Sequence, residues 1–173
     1  MKSAYLRILI GIVFIRLNFY LTSIGIDLLP NLIGYLLILL GCLKLNTEHR
    51  SPFYTYANAL SSILLLKELL NSYLVSLFMR NLWIALILTI GLTLAQIFLF
   101  RCILQGSYLI SQDFVLLHFR RRYTFLAEIS LSIYLYLCFF GGYLFLMNLS
   151  AIVETIYLFT IFFHLYQKER FTL

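Results

Sequence analysis

The sequence predicts an all-α fold: a polytopic transmembrane helix bundle of six spans with both termini in the cytoplasm. Three observations carry that expectation. The 173 residues are 62% hydrophobic and 12% charged, with a mean hydropathy of +0.95, where an ordinary soluble domain is about half apolar and about a quarter charged. Apolar runs such as LWIALILTIGLTLAQIFLF are continuous and lack the alternating polar positions that the lumen of a strand barrel requires. The basic residues sit at the ends of apolar segments and favour one side, as cytoplasmic retention of Lys and Arg produces. A spanning helix uses about 20 residues at ~1.5 Å rise each. Six of them consume nearly the whole chain, so residues 1–173 form a single membrane-embedded domain.

The first span is placed at 4–20. Its start, MKSAYLRILIGIVFIRLNFYL, opens like a secretory signal, yet Arg16 interrupts the apolar run and no A-x-A-like cleavage site follows, so the segment is read as an uncleaved span. The second span, 28–45, follows a turn containing Asp27 and Pro30. The third and fourth are placed at 57–79 and 82–104. Residues 105–122, QGSYLISQDFVLLHFRRR, form the longest stretch between spans. The plainer reading is a helical extension of span four plus a turn, with Arg120, Arg121 and Arg122 as a topology anchor. The alternative is an interfacial helix on anionic lipid. Spans five and six are placed at 123–145 and 149–166. Spans one, two and six are short and call for little tilt or local bilayer thinning.

With the N-terminus inside, the cytoplasmic stretches hold Lys2, Arg7, Lys44, Arg50, Arg101, Arg120, Arg121, Arg122, Lys168 and Arg170, and the outer ones only Arg80. That asymmetry favours an even number of spans. The net charge of +6 does not indicate a nucleic-acid partner, because these residues are not interleaved with exposed aromatics on one face. Cys42, Cys102 and Cys138 stand singly in apolar segments and read as buried free thiols rather than a disulfide framework or metal site. The Gly-Tyr-Leu triplets at 34–36 and 142–144 fall at opposite depths of their spans, which argues against an inverted repeat.

The entry to span two has a local physical reading. Proline lacks an N–H and fixes φ near −65°, so Pro30 suits the first turn of a helix. Asp27 supplies a cap, or sits in the turn itself if the helix begins only at Pro30. Gly34 and Gly41, seven residues apart, share a helical face on which a neighbouring backbone can approach closely. The alternative is a half-helix whose positive end faces an outer cavity and attracts an anion.

The run Ile26-Asp27-Leu28-Leu29-Pro30-Asn31-Leu32-Ile33-Gly34-Tyr35, followed by Gly41, Leu45, Ser51-Pro52 and Ala57, resembles a group of small, uncharacterised multi-span membrane proteins of Firmicutes carrying an I-D-x-L-P-[DN]-x-I-G-Y motif. The likeness is specific over about the first third of the chain. It implies a bacterial cytoplasmic membrane and the same layout of spans, with Asp27, Pro30, Asn31, Gly34 and Tyr35 as an outer-turn motif, and no chemistry. Asn31 stands where the group often has a second acid, which weakens a cation-binding turn.

Charged groups at the bilayer centre cost about 2.5 to 3.5 kcal/mol each on insertion scales and normally face partners or water. Arg16, Lys67, Glu68 and Glu154 fall at a common depth, about 15 to 18 Å from the cytoplasmic end. With Asn71 they form the predicted midplane cluster. One reading is an ion-pair network that fixes helix register, in which Arg16 or Lys67 pairs with Glu68 or Glu154, with partners on other spans favoured over the neighbours 67 and 68 because these diverge by about 100°; the other is a solute or proton path through Glu68 or Glu154. His49, His118 and His164 lie on three segments without metal-ligand spacing, and no serine occurs in G-x-S-x-G. No cofactor or metal is therefore expected, and an enzyme is the weakest of three classes, after a scaffold or interaction subunit and a small-solute or ion carrier. The expected partners are the lipid bilayer, anionic lipid at Arg120, Arg121 and Arg122, and a protein partner or second copy of the chain.

Overall fold

Both prolines of the chain fall in the first turn of a helix, where a missing N–H leaves no hydrogen bond unmade. In the computed structural model, which describes residues 3–21, 29–70, 82–140 and 144–171, Pro30 is the second residue of one helix and Pro52 the first of the next. The described residues form six helices and no strand: α1 Ala4–Leu21, α2 Leu29–His49, α3 Pro52–Leu69, α4 Leu82–Ser111, α5 Phe114–Phe140 and α6 Leu144–Phe171.

Two two-residue turns set the connections. Arg50 (φ 46) and Gln112 (φ 48) both adopt the left-handed conformation that ends a helix. Their N–H groups donate to the carbonyls of Asn46 (2.9 Å) and Tyr108 (2.8 Å), capping α2 and α4. Ser51 and Asp113 follow in the N-cap positions of α3 and α5, and connections this short make the joined helices antiparallel. Residues 105–122 are thus divided between the end of α4, the turn and the start of α5. The helices run past the predicted spans here, α4 by seven residues and α5 by nine. α3 starts five residues earlier than predicted because Pro52 begins it, and closes at Leu70. The later part of the third predicted span, 71–79, lies outside the described residues.

Each helix packs on its neighbours in sequence, and α6 packs back on α1, so the six form a closed ring. The α1–α2 seam is a backbone contact. A Cβ at Gly11 would lie 2.6 Å from the Gly34 carbonyl oxygen, one at Gly34 would meet the Gly11 oxygen at 2.8 Å, and one at Gly41 would meet the Ala4 oxygen at 2.9 Å. These pairings also show the two helices to be antiparallel. Across α4, α5 and α6 the contact is aromatic: Phe100 packs edge-on against Tyr123 (6.1 Å between centroids) and Phe162 (6.0 Å). The core follows from these seams, with Ile8, Ile12, Ile38, Leu45, Leu64, Leu99, Ile103, Leu104, Leu158 and Ile161 all buried.

The outward faces are apolar too. Leu36, Leu40 and Leu43 are exposed on α2, Ile63, Leu66 and Leu70 at the end of α3, Phe125, Ile129 and Tyr136 on α5, and Ile152, Ile156, Phe159 and Phe163 on α6. The spacings of three, four and seven put each set on one helical stripe, opposite stripes such as Tyr35, Ile38, Cys42 and Leu45 that face the core. A helix apolar all round belongs in a large core or in lipid. Two described segments, Leu86–Ser111 and Leu149–Glu169, are long and apolar enough to cross a membrane, and Ala4–Ile15 is a shorter apolar helix.

The glycine seam yields a paired prediction. Replacing Gly11 with alanine drives a methyl into backbone and should destabilise the purified protein by about 1–3 kcal/mol. The same change at Gly91, which has nothing within 4 Å of an added Cβ, should be neutral or stabilise by up to about 1 kcal/mol through helix propensity. Comparing the two denaturation midpoints separates packing from propensity; equal shifts would dissolve the seam argument.

Candidate functional site

Of the predicted midplane cluster, the structure brings together Lys67 and Glu68. The ammonium nitrogen donates to Glu68 Oε1 at 2.7 Å, with the Glu68 side chain 4% and the Lys67 side chain 27% exposed. The ion pair therefore lies within α3, between sequence neighbours, and not between spans as expected. Both side chains are long enough to close the roughly 100° between adjacent helical positions. Glu154, half-buried on α6, accepts a hydrogen bond from the Tyr123 hydroxyl at 3.4 Å; α3 and α6 are not neighbours in the ring. Arg16 belongs to α1, with its side chain outside the described residues, as is Asn71 altogether.

Of the outer-turn motif, Asp27 lies outside the described residues and Pro30 is the second residue of α2. Gly34 and Tyr35 are buried, Gly34 against Ile15 and the Gly11 carbonyl. The Asn31 side-chain oxygen is buried without a hydrogen-bond partner. Nothing among these residues forms a broken helix; α2 runs without interruption to His49.

The densest polar chemistry sits elsewhere, at the end of the bundle that carries both short turns. Ser107, on α4, donates its hydroxyl to the Ile103 carbonyl at 2.8 Å, which leaves its oxygen free to accept. Tyr5 from α1 and Tyr54 from α3 reach that oxygen at 2.8 and 3.2 Å. All three are buried. Gly106 makes room for this knot, since a Cβ there would lie 2.8 Å from the Tyr54 ring. Nearby, the Glu169 carboxylate of α6 caps α1: it accepts from the Ala4 N–H at 3.3 Å and from the Ser3 hydroxyl, while Ser3 Oγ accepts from the Leu6 N–H. Asp113 caps α5 through the Val115 N–H (3.0 Å) and binds Lys168 of α6 at 2.8 Å, with His164 Nε2 at 3.8 Å. The Lys168 hydrogen bond is the main cause that holds the Asp113 carboxyl below its ordinary value, helped by the Val115 N–H.

A cleft of about 410 Å³ opens between α3, α4 and α5, lined by Phe53, Phe98, Arg101, Cys102, Gln105 and Arg120. The four α4 residues recur at intervals of three, four and seven, the pattern of one helical face, and that recurrence is the sequence signal that points to it. Arg120 was foreseen as a lipid contact; Arg101 and Gln105 were not joined to it, because only the turn at Gln112 folds α5 back beside α4. The hydroxyl knot had no signal at all, its members being separated by 49 and 53 positions. Among the described residues no three His, Cys, Asp or Glu side chains gather as a metal site. No known protein family, curated protein or solved structure matches the chain.

Asp113 generates a pH prediction. Its carboxyl is lowered in the folded state, so its contribution to stability is present above the unfolded-state value of about 3.9 and is lost as pH falls through the lower folded value. The melting temperature of the wild type should therefore decline through that acid window more steeply than that of Asp113→Asn. Parallel pH profiles would show that the Asp113–Lys168 link carries no folding free energy.

Proposed function

We propose that the chain is a six-span integral protein of the bacterial cytoplasmic membrane, both termini inside, acting as a scaffold or interaction subunit rather than a catalyst. The observation that carries the membrane reading is the pair of apolar stripes on the same helices, one turned to the ring's interior and one to its surroundings. Water would penalise the second stripe, whereas lipid accepts it. The scaffold reading is supported by the state of Glu68, buried and neutralised by Lys67; neither Glu68 nor Glu154 lines the cleft. The competing reading, a solute or proton-coupled carrier, needs one of those acids to exchange protons with water. An interfacial enzyme needs a convergent nucleophile or acid–base pair.

Two measurements test this. Cysteines introduced singly at Thr22 and Asn148 should react with an impermeant reagent from outside intact cells, and one at His49 should not; the reverse pattern would overturn the topology. In proteoliposomes, the wild type should conduct protons no faster than Glu68→Gln or Glu154→Gln. A flux lost in either variant would establish the carrier and dismiss the scaffold.

The ion pair can be examined separately. Lys67→Met leaves the Glu68 carboxylate buried without its cation, so it should cost about 1–3 kcal/mol more than the double variant Lys67→Met/Glu68→Gln. Equal losses would mean that the pair is not coupled.

A further inference from the structure

We infer that the α3–α4–α5 cleft is a binding site for the headgroup of an anionic glycerophospholipid, with Arg101 and Arg120 holding the phosphodiester and Gln105 a headgroup hydroxyl. The inference rests on the membrane reading above. Its warrant begins with charge. Among the described residues neither guanidinium has a carboxylate within ion-pair reach: Glu48 pairs with Lys44, Glu68 with Lys67 and Asp113 with Lys168, Glu154 accepts from Tyr123, Glu169 caps α1, and Glu128, exposed on α5, bridges to neither. Two cations share one concavity whose other walls are neutral. Guanidinium groups suit phosphate oxygens because their N–H donors are fixed in a planar fork. Gln105 lines the same cleft, and its buried side-chain oxygen has no hydrogen-bond partner. That acceptor fits a ligand with a hydroxyl to donate, as a glycerol headgroup has and a choline headgroup lacks.

The walls indicate a lipid and not a soluble anion. Phe98 lies one turn before Arg101, about 4.5 Å further from the turn end of the bundle, and is 52% exposed; Phe53 lines the same space. Along α4 the order from Gln105 through Arg101 to Phe98, polar toward the turn end and aromatic toward the middle, matches a headgroup above an acyl chain, while Phe53, the second residue of α3, walls the cleft at the turn end. Arg101 and Arg120 also fall at the predicted cytoplasmic edges of spans four and five, where basic pockets between helices meet phosphate. The volume lies within the range of small-molecule sites, about 300–1,000 Å³. Tyr54 and Gly106, packed together in the hydroxyl knot, adjoin Phe53 and Gln105 in sequence, so a buried polar contact backs two of the cleft's walls.

The test compares two charge-matched variants of the full chain: Arg101→Gln/Arg120→Gln in the cleft, and Arg121→Gln/Arg122→Gln, two exposed arginines beside it. Insertion into phosphatidylcholine vesicles is measured first, by flotation; a wild type that does not insert refutes the membrane reading and this site with it. For inserted protein, native mass spectrometry with phosphatidylglycerol should show retained lipid on the wild type and on the Arg121/Arg122 variant, and affinity at least about tenfold weaker for the cleft variant. Equal weakening in both would reduce the effect to diffuse surface charge and overturn the site. Displacement of phosphatidylglycerol by inorganic phosphate would also overturn it, in favour of a soluble-anion site. Should the cleft variant not fold, the wild type answers alone. Phosphatidylglycerol, and not phosphatidylcholine, should slow alkylation of the half-buried Cys102, read apart from the other thiols by peptide mapping; no difference between the lipids would refute the proposal.

Discussion

The hydroxyl of Ser107 is the point on which the bundle turns. By giving its own proton to the Ile103 carbonyl it becomes a pure acceptor, and it is reached by tyrosines from two other helices. Apolar packing alone cannot set register between helices that are apolar on every side, because one rotation buries about as much as another. A buried hydroxyl acceptor can, since leaving Tyr5 or Tyr54 unpaired would cost the desolvation of a phenol, roughly 1–3 kcal/mol. Gly106, one residue earlier, is the steric half of the same device. It lets the Tyr54 ring lie against the α4 backbone, so the residue that packs and the residue that bonds are consecutive.

The few acids of the chain are used sparingly and in a consistent way. There are seven Asp and Glu against thirteen Lys and Arg, and two of the acids, Asp113 and Glu169, are spent on helix N-termini, where partial positive charge favours a carboxylate. Each of these also ties its helix to another. Asp113 links the α4–α5 turn to α6, and Glu169 links α6 to α1. With the acids at this end of the bundle engaged as caps or by Lys44 and Lys168, Arg101 and Arg120 are left unneutralised beside the cleft.

The helical class, the approximate number of segments and the small-residue face at Gly34 and Gly41 were legible in the sequence because they depend on composition and on periodicity within a single segment. Pro30 marked a helix start for the same local reason, whereas Pro52, which does the same for α3, was passed over in favour of the apolar run that begins at Ala57. The extension of α4 beyond its span and the turn after it were legible in QGSYLISQDFVLLHFRRR, but the start of α5 at Phe114 was not, because the left-handed turn at Gln112 uses a residue that does not announce it as glycine would. That Arg16 or Lys67 would pair with Glu68 or Glu154 was legible from their depth, but the partner of Lys67 was sought on another span because neighbours on a helix diverge by about 100°. Tyr5, Tyr54 and Ser107 illustrate the harder limit: each is unremarkable in its own segment, and their chemistry exists only after three helices have met.

Ring closure falls to the two ends of the chain. Five of the six helix contacts are between neighbours in sequence and can form as each helix follows the last, whereas α6 on α1 is the only distant one among the major contacts. That last contact includes a carboxylate on a part-buried helix end: Glu169 reaches the first N–H of α1 and the hydroxyl of Ser3, which itself caps the helix. Such a bond has direction, so it specifies which end of α6 meets which end of α1. It draws on a dipole that exists once α1 is formed. An apolar closure would lack that discrimination among helices whose surfaces are alike, and would leave the ring free to close one turn out of place. The Glu169 cap and the Ser107 knot therefore act on the same ambiguity from two sides, one fixing the ends of the chain and the other the helices across the ring.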